Sequence, residues 1–290
     1  MAKKLWSQRH PFFYFLSVWS KRLKRISRWY LDGRDYTSEI RVEKLPHRVK
    51  KHQSVLIRKL GGSDIQLQFN KVTNLKIAIG LLDGLLIRPG QVFSFCRLVG
   101  RPTKARGFLP GIELSFGRPR PGIGGGLCQI SNLLHWLALH SPLTITERHH
   151  HSLDPFPDSG RVLPFGSGAT VFYNYLDYQL RNDTPHTFQI RLWLSDKCLE
   201  GELRCEQTLP YTYHVYERNH AFIRQDGQVY RANEIWRLKL VRPGGRELER
   251  QMVCRNYFRV LYHPENCEII EPEEYQHRIA ASEREVAPLC

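Results

Sequence analysis

The sequence predicts an α+β fold: a central mixed or antiparallel sheet, a helix against it, and a β-rich C-terminal part. Three observations carry this expectation. Behind the run Gly122-Ile123-Gly124-Gly125-Gly126-Leu127-Cys128-Gln129-Ile130-Ser131, apolar Ile130, Leu133, Leu134 and Leu137 recur at i, i+3, i+4 and i+7, one buried helical face. A second helix is predicted from Asn70, where Leu75, Ile79 and Leu82 keep i, i+4, i+7 spacing and Val72 shares their face. From residue 143 onward the apolar positions mostly alternate, and turn residues such as Asp226-Gly227 and Pro243-Gly244-Gly245 separate the runs as in β-hairpins. Few helices followed by many short strands argue for α+β rather than repeated βα units.

In chain order, residues 1–64 form a basic, aromatic N-terminal region. Trp6, Phe12, Phe13, Tyr14, Phe15 and Trp19 precede Lys21, Arg22, Lys24, Arg25 and Arg28. Aromatics beside a basic helix-like stretch suit an anionic membrane surface. A terminal helix that packs its aromatics on the core and solvates its cations is an equal alternative. Stacking on single-stranded nucleic acid ranks last, since nothing else in the chain supports it. Residues 37–68 read as a connecting region with short strands.

Residues 65–200 form the predicted core. Asp83-Gly84 ends its first helix. Arg88-Pro89-Gly90 places proline and glycine as a type II turn favours, and Val92, Ser94 and Cys96 alternate with Phe93, Phe95 and Arg97 as a strand closed by Gly100. Loops fill 101–121. Ser141-Pro142 stops the helix behind Cys128, because the residue before proline leaves the α region. In the strand after it, Leu143, Ile145, Glu147, His149 and His151 share one face, with Arg148 and His150 on the other. A long loop over 153–168 leads to two strands, Ala169–Tyr175 and Leu176–Asn182, then a turn at Asn182–Pro185 and a strand over His186–Ser195. Residues 201–270 are the β-hairpin region, and 271–290 a charged, frayed tail.

The chain has 290 residues, 41% hydrophobic and 11% aromatic, enough for a sizeable core. Its net charge of +15 predicts attraction to anionic lipid, nucleic acid or anionic polymers such as cell-wall material. Seven cysteines, an odd count with no C-x-x-C pair, imply no disulfide framework and suit a reducing compartment. The apolar stretch Pro11–Trp19 is too short to span a bilayer, and no small-residue cleavage site follows it. The expectation is a cytoplasmic protein that touches the membrane peripherally.

Cys128 is the candidate nucleophile. At a helix start, free N–H groups and the macrodipole favour an anion, which lowers a thiol's pKa. The plainer reading is a small buried hydrophobe after a glycine turn. Thiol catalysis also needs an imidazole to move the proton and a group to fix its tautomer. His149 or His151 supplies the first and Asp177 the second. Gln129 or the Cys128 N–H would stabilise an oxyanion, and Gly124, Gly125, Gly126, Ser131 and Arg148 complete the binding set. This Cys, His, Asp order is shared by papain-like and transglutaminase-like enzymes. The competing chemistry is a metal site on Cys128, His149 and His151, whose spacing matches no common zinc pattern. The Gly-rich run lacks the Lys-Ser/Thr of a phosphate loop, and no cofactor is expected.

At these residues the sequence resembles the VanW family, named for an accessory protein of vancomycin resistance clusters. Pro89-Gly90-Gln91-Val92-Phe93-Ser94-Phe95 is similar to its Pro-Gly turn and Phe-Ser-Phe. Gly124-Gly125-Gly126-Leu127-Cys128-Gln129-Ile130-Ser131 looks like its Gly-Gly-Gly-x-Cys-Gln-x-Ser hallmark, and Glu147-Arg148-His149-His150-His151 like its Glu-Arg-His-x-His. Asp177 and Asn182-Asp183-Thr184 meet a later Asp and Asn-x-Thr turn. The resemblance covers roughly residues 65–200. One departure is Gly168-Ala169-Thr170-Val171, where the family commonly has Asp-Ala-Thr-Val. The resemblance implies cell-envelope biology and glycopeptide resistance. Together with the Cys128, His149/His151 and Asp177 order, that context points to a thiol-dependent hydrolase or acyl-transferase on a peptide or amide of a cell-wall precursor. The alternatives are a non-enzymatic basic adaptor for precursor or membrane, and a Cys/His metal-binding protein.

Overall fold

The computed structural model describes residues 10–57, 64–115, 118–150, 153–154, 157, 162–173, 175–264 and 267–286. It begins with α1 (Pro11–Leu31), whose first amide, that of Phe12, is taken by the His10 side chain at 3.1 Å. Next come β1 (His47–Val55) and α2 (Ile65–Leu82). Helix α2 starts ahead of the predicted Asn70 because Asp64 caps it, accepting from the Gln66 N–H at 2.9 Å. After it, β2 (Leu86–Ile87) leads into the predicted turn, closed by Gln91 N–H to Arg88 O at 3.0 Å with Gly90 at φ +79°.

The strand predicted over Val92–Cys96 is cut short. Only β3 (Val92–Ser94) is extended, and α3 (Phe95–Val99) begins at once. Ser94 caps that helix through the Arg97 N–H, while Asp177 takes the Cys96 N–H at 2.8 Å, so the turn is stabilised from outside its own sequence. The hairpin β4 (Pro110–Ser115) and β5 (Arg118–Ile123) follows, and α4 (Cys128–Leu139) begins at Cys128 as predicted. Strand β6 (Thr144–Glu147) stops two residues before His149, and β7 (Leu153–Asp154) follows. Among the described residues of 169–175 no strand forms beyond the single bridge of Phe172 with Leu176. The chain turns at Phe172–Leu176, ahead of β8 (Gln179–Arg181).

The rest is β9 (Phe188–Leu194), β10 (Cys198–Cys205), the long β11 (Tyr211–Gln225), β12 (Gln228–Val241) and β13 (Glu247–Val260), then β14 (Ile269–Ile270) and α5 (Pro272–Val286). The predicted frayed tail is thus a helix: Tyr275 and Ile279, at i and i+4, are buried with Ile223, Ala232 and Ile270. Burial of that one apolar face outweighs the charged composition.

The architecture is α+β. A four-stranded antiparallel sheet, β1-β10-β9-β2, packs α2 on β9 and α4 on β1 and β10. Between them lies the main core, including Leu75, Leu82, Leu133, Leu137, Phe188 and Leu203. A three-stranded sheet, β3-β8-β6, borders it and carries the polar residues of the site. The C-terminal meander β11-β12-β13 forms a five-stranded sheet with β14 and β7 as parallel edges. Trp136 and Leu139 of α4 join it to the rest by packing with Val215 and Ile235. Among the described residues, no helix is long and apolar enough to cross a membrane.

Candidate functional site

The glycine run bends the chain from β5 into α4, with Gly124 and Gly126 at φ +79° and +93°. Gly125 crosses the backbone of Gly111 in β4 so closely that a Cβ would lie 2.2 Å from the Gly111 carbonyl atoms. Asn74 of α2 fastens the crossing, its Nδ2 donating to Gly125 O at 2.9 Å and to Leu109 O at 3.0 Å. Gly125 therefore brings main chain against main chain, while a Cβ at Gly124 or Gly126 would meet the Pro102 or Lys71 side chain.

Cys128 opens α4, and its thiol donates to Val171 O at 3.5 Å. Burial pushes this thiol's pKa up, and hydrogen bonds with backbone only partly offset that. The helix-terminus effect expected from sequence is outweighed, so the resting group is a neutral S–H. Gln129 turns away from the sulfur. Its Nε2 donates to Ser54 Oγ at 2.9 Å and Val55 O at 3.0 Å, tying α4 to β1.

The other motif residues converge on one stretch of main chain, residues 166–171. Arg148 donates through Nε to Gly168 O at 2.9 Å and through Nη2 to Gly166 O. Ser131 Oγ donates to Ala169 O at 2.7 Å, and the Ala169 N–H donates to Asn132 Oδ1 at 2.7 Å. The Thr170 N–H donates to His149 O at 2.7 Å, and Cys128 reaches the next carbonyl, that of Val171. At Gly168, the position of the departure from the family text, a Cβ would fall 2.6 Å from Asn132 Oδ1. The Asn132 amide fills the space where a side chain would start.

The acidic partners divide differently from the sequence expectation. His149 Nε2 donates to Glu147 Oε1 at 2.9 Å, so Glu147 fixes the ring in its Nε2–H tautomer. Glu147 also accepts both Arg25 guanidinium nitrogens at 2.5 Å and the Asp177 N–H at 3.1 Å. Burial alone would raise this carboxyl, but the bonds from Arg25 and His149 hold it below the usual range. Asp177 is fully buried, and its carboxylate lies at the β3–α3 corner. It accepts from Ser94 Oγ at 2.6 Å, Cys96 N at 2.8 Å, Tyr178 N at 2.8 Å and Gln179 Nε2 at 2.9 Å. Burial, with the Glu147 charge nearby, pushes its pKa up despite those donors. Its carboxylate orients the corner; the carboxylate on the imidazole is that of Glu147.

Glu147 and Arg25 were missed as site residues. The signal for Glu147 was present, since it shares the period-two face of His149. None existed for Arg25, which arrives from 122 residues away. His150 stacks on Phe258 with ring centroids 4.9 Å apart. His151 lies outside the described residues. Among the described residues, no three His, Cys, Asp or Glu side chains gather as a metal site.

Comparison with known proteins bears on these same positions. The family model described as "VanW like protein" matches residues 70–204, which include every residue named above from Asn74 to Asp177. Over 275 residues, 94% of this chain and 100% of the relative, the chain is 31% identical to the vancomycin B-type resistance protein VanW of Enterococcus faecalis (strain ATCC 700802 / V583). It is also 28% identical over 118 residues to the uncharacterized protein YoaR of Bacillus subtilis (strain 168), covering 41% of this chain and 37% of that one. No solved structure matches. With the motif residues inside the matched region and a curated relative aligned along its whole length, this chain belongs to the VanW family.

Proposed function

We propose that this protein serves glycopeptide resistance by thiol-dependent acyl transfer or hydrolysis on a peptide or amide bond of a cell-wall precursor. The link to resistance comes from the vancomycin-resistance relative. The chemistry rests on one observation: Cys128 and His149 hold adjacent residues of one backbone stretch, the thiol on Val171 O and the His149 carbonyl on Thr170 N–H. The chain order becomes Cys128, Glu147, His149 in place of the papain-like Cys, His, Asp, with Glu147 rather than Asp177 as the partner of the imidazole.

Because the resting thiol is neutral, attack needs a base. His149, held through Nε2, accepts the thiol proton at Nδ1, and Glu147 stabilises the imidazolium. The sulfur–carbon bond forms, the amide C–N bond breaks, and the imidazolium returns its proton to the leaving amine. Water or an amine acceptor then takes the acyl group from sulfur. The Gln129 and Ile130 amides are committed to Gly126 O and Leu127 O, and the Gln129 side chain to β1. The Cys128 N–H is therefore the oxyanion donor in this scheme. The sulfur must leave Val171 O to reach a substrate.

The test is incubation of the protein with synthetic cell-wall stem peptides and an amine acceptor, followed by mass spectrometry. An acyl adduct on Cys128, with turnover reduced about 10²–10⁴-fold by His149→Ala, is expected. Full turnover and full glycopeptide resistance in Cys128→Ala would end this reading. One observation favours a second: the motif's hydrogen bonds are spent within the chain, the half-buried thiol's included, as in a binding module. A basic adaptor for precursor or membrane would tolerate Cys128→Ser.

A further inference from the structure

Helix α1 carries three different stripes. Val18, Arg22, Arg25 and Trp29, at i, i+4, i+7 and i+11, face the protein, with Arg25 and Trp29 buried. Trp29 packs with Tyr36, Val92 and Cys96, and Arg25 pairs with Glu147, so the helix has a fixed roll on the body. That roll turns Phe12, Phe15, Leu16, Trp19 and Leu23 outward on one face, each between 40% and 60% exposed. Lys24 and Arg28, at i and i+4, form an exposed flank next to the outward Phe13 and Leu31, and Lys21 lies between that flank and the body, its Nζ 3.9 Å from the Tyr175 ring centroid. No acidic residue occurs anywhere in α1.

We propose that this face is a membrane anchor: α1 lies in the headgroup plane of an anionic bilayer, its apolar stripe among the upper acyl chains and its flanking cations on lipid phosphates. The inference does not depend on the thiol chemistry. A helix of 21 residues is about 32 Å long, enough to lay its outward apolar side chains along one plane. A stripe of aromatic and leucyl side chains edged by cations is the arrangement that interfacial helices use. Charge complementarity selects an anionic surface, and the net charge of +15 adds long-range attraction. The docked helix is the one that delivers Arg25 to Glu147, so the bilayer would sit next to the candidate site.

The experiment is flotation of the full chain with vesicles of phosphatidylcholine alone and of phosphatidylcholine with about one-third phosphatidylglycerol, in about 0.1 M salt. Wild type is expected to float with the anionic vesicles and stay behind with the neutral ones. Neutralising two cations, Lys24→Gln with Arg28→Gln, is expected to weaken partitioning about 25-fold, at about fivefold per cation. Trp19→Ser with Leu23→Ser is expected to remove at least about tenfold from the apolar side. These side chains are solvent-exposed, so an unchanged thermal midpoint for each variant shows that the fold is retained. Equal flotation with both vesicle types, or with neither, overturns the proposal. So does a concentration-dependent dimer in sedimentation velocity that Leu23→Ser dissociates, which would assign the face to a second copy.

Discussion

Replacing Arg25 by Met removes the cation from a cluster of two acidic side chains. The Arg25 and Glu147 side chains are 9% and 16% exposed and joined by two 2.5 Å bonds. The variant leaves Glu147 with the His149 N–H and the Asp177 main-chain N–H alone, close to a buried Asp177 carboxylate. Breaking such a pair from one side costs about 3–5 kcal/mol. The two remaining donors put the expected loss at the low end, about 3 kcal/mol. For a chain of this size that lowers the thermal midpoint by about 6–12 °C.

The pH dependence has a definite sign. In wild type the Glu147 pKa is held low, so its contribution is fully present above the ordinary carboxylate range and lost as pH falls through the lower folded value. Without Arg25, burial dominates and raises that pKa, so mild acid neutralises Glu147 in the folded variant and relieves the penalty. The deficit should be largest at pH 7 and shrink toward pH 5. Thermal and urea unfolding by circular dichroism at both pH values measures it. Arg25→Met with Glu147→Gln should recover most of the loss. A midpoint within about 1 °C of wild type at pH 7, or a gap that widens on acidification, refutes the argument.

Gly125→Ala should cost at least about 3 kcal/mol in urea unfolding, because its Cβ would meet rigid Gly111 backbone at 2.2 Å; wild-type stability would show that the crossing can yield. Gly168→Ala should cost about 1–2 kcal/mol through the clash with Asn132 Oδ1, and Asn132→Ala about 1–3 kcal/mol by orphaning the Ala169 N–H. Asn132→Ala with Gly168→Asp should cost less than the sum, and strict additivity would argue against shared space. Cys128 alkylation at pH 7 should be slower than that of exposed Cys267 and rise only at higher pH, because burial raises its pKa. Faster labelling of Cys128 than of Cys267 at pH 7 would contradict a neutral resting thiol.

Local signals carried over where one stretch of chain suffices. Helix α4 begins at Cys128 because four apolar positions on one face follow a glycine bend, and the turns at Pro89-Gly90 and Asp226-Gly227 form where their residues accept positive φ. Elements stabilised from elsewhere were not legible. Phe95 and Cys96 alternate like a strand, yet Ser94 and Asp177 convert them to a helix. Residues 272–286 read as charged tail until Tyr275 and Ile279 meet the face of β11.

The sequence alone determined the composition, the +15 charge, the α+β class, the Cys128 helix start and the family. All of these follow from local periodicity, turn chemistry or motif text. Only the tertiary structure decided which carboxylate holds His149, where the glycines meet β4, and that α1 delivers Arg25 inward while turning Phe12 and Leu23 outward. Hydrogen bonding and burial depend on distance in space, and Arg25 and Glu147, separated by 122 positions in the chain, share no local pattern that could announce their contact.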